Sequence, residues 1–63
     1  MTPQQIIDAL RELAVEMQAL GATMDYYGGH GEMAQHGREL VRAGAAAWRW
    51  ADGLTQERSG GAA

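Results

Sequence analysis

The chain has 63 residues, no cysteine, and eight acidic against five basic residues, for a net charge of −3. That length allows one small domain, and the missing thiols exclude disulfides and thiolate metal sites. The acidic balance argues against direct nucleic-acid binding, which draws on a basic surface.

A domain of this size buries only about 60% of its unfolded surface. A single core below about 70–80 residues rarely supplies more than ~3–5 kcal/mol without a staple. With disulfides gone and only two histidines to hold a metal, self-association is the remaining staple, so a homo-oligomer is expected. No apolar run approaches the roughly 20 residues that span a bilayer, and no basic patch followed by an apolar stretch opens the chain. Neither a membrane partner nor a signal peptide is expected, and the cytoplasm is the default location.

Thr2-Pro3-Gln4-Gln5 carries a helix start. Thr2 can accept from orphan amides, Pro3 suits the first helical position, and Gln5 completes a capping box. Ile6, Leu10, Leu13, Met17, Leu20 and Met24 then recur at alternating spacings of four and three, the pattern of a heptad seam. Ile7, Ala14 and Gly21 flank that seam, Asp8, Arg11, Glu12 and Gln18 face away, and Glu16 lies at the edge. A helix is predicted from about residue 3 to about residue 26.

Tyr26-Tyr27-Gly28-Gly29-His30-Gly31 ends it. Gly28 or Gly29 can take the left-handed conformation that closes a helix C-terminus, and a tight reversal makes the two helices antiparallel neighbours. The turn is predicted over 27–31 and the second helix over about 32–57, with Glu32 favourable in its first turn. The second seam reads Met33, Gly37, Leu40, Gly44, Ala47, Ala51 and Leu54. A glycine inside a helix costs roughly 1 kcal/mol against alanine, so Gly37 and Gly44 imply close approach of a neighbouring backbone. Residues 59–63 read as a flexible tail. The expected architecture is all-α: one domain over residues 1–58, an antiparallel two-helix hairpin that assembles into an oligomeric helical bundle.

Trp48 and Trp50 lie two positions apart, so on a helix they point about 200° apart, on opposite edges of the seam. Each either packs inside an assembly or serves as a hot spot for a partner. The oligomer interface is expected to use Leu13, Met17, Leu20, Gly37, Leu40, Gly44, Trp48 and Trp50. Arg38, Arg42 and Arg49 share the outer face of the second helix. They form a solvated face, an anion site built from guanidinium forks, or a counterpart for Asp8, Glu12 and Glu16 of another subunit.

Tyr26, Tyr27 and His30 sit on a glycine-rich turn. Tyrosines stack on flat rings, and free amides beside a helix N-terminus can hold an anion. With Arg38 and Arg42 they form the candidate ligand-binding set; the alternative is a turn whose rings merely cover one end of the hairpin. His30, Glu32 and His36 lack a further ligand for a metal, so neither a metal nor another cofactor is expected. No nucleophile, base and orienting group stand together, so no enzyme is expected.

Arg38-Glu39-Leu40, the small-residue run after it and Trp50-Ala51 resemble phage counter-defence proteins. The likeness is greatest to the helical-hairpin cyclic-nucleotide sponges that counter CBASS and Thoeris immunity. It covers about a third of the chain, and Gly29-His30-Gly31-Glu32 stands where that family has a serine-rich helix start. The resemblance implies an oligomeric hairpin in the host cytoplasm that sequesters a signalling nucleotide without cleaving it. Two other functions compete with it. An acidic inhibitor would bind a host protein, as an anti-CRISPR factor or regulator antagonist does, and an oligomerisation module would be purely structural.

Overall fold

The computed structural model describes residues 1–61 and contains two α-helices, α1 over Pro3–Tyr27 and α2 over Glu32–Gly61. Among the described residues there are no strands. The helices run antiparallel along a hairpin of 50 × 18 × 11 Å. α1 starts as its sequence requires: the Gln5 amide donates to Thr2 Oγ1 at 3.1 Å, and the Thr2 amide donates to Gln5 Oε1 at 2.8 Å. Two orphan amides are thereby satisfied reciprocally, with Pro3 at the first helical turn.

The Gly28 amide donates to the Met24 carbonyl at 2.8 Å, and Gly29 takes φ +62°, the only positive φ among the described residues. That left-handed residue turns the chain, and α2 begins at Glu32, whose carboxylate lies in its first turn. α2 then continues to Gly61, past the expected end near residue 57. Arg58 explains part of the extension, since its Nη1 donates to Gln4 Oε1 at 2.8 Å and ties the last turns of α2 to the start of α1. Of the predicted tail, Ala62 and Ala63 lie outside the described residues.

The helix seam differs from the periodic reading on α1. Ile7, Ala14 and Gly21, expected as flanking residues, are the buried ones. Ile6, Leu13 and Leu20, expected in the seam, remain 48%, 51% and 56% exposed. On α2, Gly37, Gly44, Ala47 and Ala51 are buried as expected, joined by Ala34, while Met33 and Leu54 lie outward.

The cause is backbone contact. A Cβ on Gly21 would sit 2.5 Å from the Gly37 carbonyl oxygen, and one on Gly37 would sit 2.5 Å from the Gly21 oxygen. One added at Gly44 would meet Gln18 Cγ at 2.7 Å and the Ala14 oxygen at 3.0 Å. Helices this close have no room for leucine between them, so α1 presents its small stripe and its large residues turn to the side.

That rotation gives the hairpin two unlike flanks. On one, Gln4, Arg11, Gln18 and Asp25 recur every seven residues. Arg11 and Gln18, expected to face away, instead meet α2. Arg11 Nη2 donates to Thr55 Oγ1 at 2.9 Å and lies 3.7 Å from Asp52 Oδ1. Thr55 in turn donates to the Ala51 carbonyl. Arg38 Nη1 donates to Asp25 Oδ1 at 2.9 Å. These pairs are partly exposed, so each adds at most about 1 kcal/mol, but together they hold one register. The other flank carries Ile6, Leu13 and Leu20 of α1 and Met33, Trp50 and Leu54 of α2, interrupted on α2 by His36, which pairs with Glu39.

Gly37→Ala should therefore lower stability by about 1–3 kcal/mol through overpacking, against its intrinsic gain of roughly 1 kcal/mol in helix propensity. Gly53→Ala meets nothing within 4 Å and should raise stability by up to about 1 kcal/mol. Urea unfolding followed by circular dichroism measures both; equal effects at the two sites would contradict the close approach.

Candidate functional site

The turn end gathers four of the five expected ligand residues. Tyr26 and Tyr27 occupy the last turn of α1, with ring centroids 4.9 Å apart and planes at 80°. The edge-to-face contact is favourable, yet the rings remain 81% and 76% exposed. They do not close over the hairpin end. His30 is exposed in the turn between the helices.

Arg38 reaches this end through its bond to Asp25, the residue before Tyr26. One of its donors is thereby committed, while the guanidinium stays half-exposed. Arg42 stands one helical turn further along α2, exposed, with no ion pair or side-chain hydrogen bond among the described residues. His36 Nδ1 lies 2.7 Å from Glu39 Oε1 on its own helix. Among the described residues no three histidine, aspartate or glutamate side chains converge as a metal site would require.

The expected interface residues divide among three surfaces. Gly37 and Gly44 are used within the hairpin, where they admit α1. Trp48 is half-buried on the polar flank, and Trp50 is 62% exposed on the apolar one, as their 200° separation requires. Leu13, Met17, Leu20 and Leu40 share the apolar flank with Trp50. Met17 and Leu40 are partly covered, and Leu13 and Leu20 are more open.

An open cleft of about 360 Å³ lies at the opposite end of the molecule, lined by Pro3, Ile6, Ile7, Leu54, Glu57 and Arg58. At 1.5 Å per helical residue it is roughly 30 Å from the tyrosines. Sequence reasoning missed it, because only the register between the helices brings Leu54, Glu57 and Arg58 opposite Pro3, Ile6 and Ile7. The heptad-spaced polar residue Gln4, opposite Arg58, was the available signal. Among the described residues, no helix is long and apolar enough to cross a membrane.

No protein family, characterised protein or solved structure is significantly similar to this chain.

Because the rings touch each other and little else, replacing both Tyr26 and Tyr27 by alanine should change stability by no more than about 0.5 kcal/mol, the usual range at exposed positions. Thermal unfolding checks this. A loss of several degrees in Tm would instead assign the rings to closing the hairpin.

Proposed function

We propose that this chain is a non-enzymatic, self-associating hairpin of the phage counter-defence type that sequesters a cyclic nucleotide signal between subunits. The observation that carries the proposal is the pair of tyrosine rings held together at the turn and open to solvent. A ring pair of this kind is a stacking platform for a base, and base–aromatic stacking contributes about 1–3 kcal/mol per base. Arg42, without an ion pair among the described residues, supplies a guanidinium for phosphate oxygens. A single hairpin offers these groups on an open surface, so a second subunit must wall the pocket. Stoichiometric binding without turnover fits a sequence in which no nucleophile, base and orienting group stand together.

A ligand that binds the folded state alone raises Tm, by the equivalent of about 2.7 kcal/mol at a hundred times its Kd. Thermal-shift measurements with cyclic di- and trinucleotides and cyclic ADP-ribose isomers should find at least one such ligand. Tyr27→Ala combined with Arg42→Ala should abolish the shift and leave the unliganded Tm within a few degrees. No shift from any member at millimolar concentration would refute nucleotide sequestration.

A second reading draws on a different observation. Glu12 and Glu16 are exposed on α1 and form no ion pair among the described residues. Such an acidic face suits a basic cleft of a host protein. Recovery of one stoichiometric host protein from lysate, lost on Glu12→Lys with Glu16→Lys, would favour the inhibitor over the sponge. A chain that assembles but takes neither ligand nor host protein would be the structural module.

A further inference from the structure

We infer that the apolar flank of the hairpin is the docking surface for a second copy of this chain, the two hairpins closing face to face into a four-helix bundle. The inference rests on the self-association in the proposal above and names the surface that pairs two hairpins; Arg42 projects from the outer side of α2, so this surface is not itself the wall of the nucleotide pocket.

Ile6, Leu13 and Leu20 recur every seven residues along α1, beside Met33, Trp50 and Leu54 of α2, and all six lie at least 39% exposed. They follow one face from the open-end cleft, which Ile6 and Leu54 line, to the turn. The opposite flank is already occupied by cross-helix bonds of Gln4, Arg11 and Asp25.

Three observations select a second copy as the occupant. The first is the composition of the interior. Among the described residues no large side chain is fully buried, and the buried hydrophobic set is Ile7 with four alanines. A hairpin with so thin a core gains its missing burial from whatever covers this face, and that cover must accompany the chain whenever it folds. The second is size. The outline of the broad face, 50 by 18 Å, has room for the about 800 Å² per partner of a standard stable interface. The third is length. From Met33 to Leu54 the apolar strip runs about 32 Å at 1.5 Å per helical residue, within the 50 Å length of a second hairpin, which therefore covers it end to end, whereas a shorter segment leaves leucines in water.

The rim fixes how this association responds to salt. Glu16 on α1 and Glu32, Glu39 and Glu57 on α2 border the face by helical position. Arg11 and Arg38 are engaged on the opposite flank, Arg42 and Arg49 project from the outer side of α2, and Arg58, bonded to Gln4, is the one guanidinium at the open end of the face, so the four carboxylates outnumber it. Self-docking thus brings carboxylate rims together, and screening them favours association. A basic amphipathic helix on the same face would show the reverse dependence.

Sedimentation velocity from 1 to 100 μM, in 50 and 500 mM NaCl, tests this. The wild-type chain should run at twice the monomer mass or a multiple of it, with a dissociation constant several-fold lower at high salt. Leu13→Glu with Leu20→Glu should raise that constant at least a hundred-fold, whereas Val15→Glu, an exposed apolar site off this face, should change it less than three-fold. Should the double variant fail to fold, Trp48→Phe leaves Trp50 as the single reporter. Its emission should shift to the blue, and acrylamide quenching should fall several-fold, as concentration rises.

Dimers that survive both glutamates while Trp50 stays freely quenched would overturn this surface and leave self-association standing. A folded monomer at every concentration would overturn both. A monomer whose Trp50 is covered only on adding a Leu/Lys amphipathic peptide would give the face to a basic partner.

Discussion

Everything in this hairpin depends on the contact between the Gly21 and Gly37 backbones. Each glycine lies where any side chain would strike the other's carbonyl oxygen, so the two helix axes are drawn together at this level. Ala14 beside Gly44 continues the approach toward the open end. Close axes bury peptide surface and methyl groups rather than large side chains. The apolar side chains that a longer chain would enclose are displaced to one flank, where they become surface. Thin interior and exposed stripe are thus two results of one constraint.

The same constraint positions the polar groups. With α1 rotated toward its small stripe, Gln4, Arg11, Gln18 and Asp25 fall at the edge of α2 instead of in solvent. Arg38 meets Asp25 and Arg58 meets Gln4 because the glycine contact sets the register between the helices. Individually these bonds contribute little to stability. Their value is directional: sliding α2 by one turn breaks them together, so they reinforce the register that the Gly21–Gly37 contact already sets. The turn end inherits this order, since Arg38 is held beside the tyrosines by a residue of the opposite helix.

Much of this was legible before the structure. The capping box, the glycine turn, the start of α2 and the opposed tryptophans follow from local chemistry and helical period. The phase of α1 did not. Ile6 and Ile7 are adjacent and equally apolar, so two heptad stripes compete, and counting hydrophobic residues favours the larger one. The deciding information sits in the other helix, where Gly37, Gly44, Ala47 and Ala51 demand a small counterpart that only Ala14 and Gly21 provide. The candidate site was legible as a set of residue types near one end. The engagement of Arg38 by Asp25 was not, because it depends on inter-helix register, which no single-helix pattern encodes.

The cross-helix bonds also order the closing of the hairpin in time. Asp25–Arg38 spans 13 residues, Arg11–Thr55 spans 44, and Gln4–Arg58 spans 54. Bringing the outermost pair together first would cost about 1.3 kcal/mol more chain entropy than the innermost, by the logarithm of loop length. Zippering outward from Gly29 avoids that cost, since each bond shortens the loop the next must close. The open end therefore forms last and parts first, and its amides should exchange with solvent ahead of those around Gly21 and Gly37. The tyrosine pair sits at the end that is assembled earliest, so its geometry persists while the far end breathes.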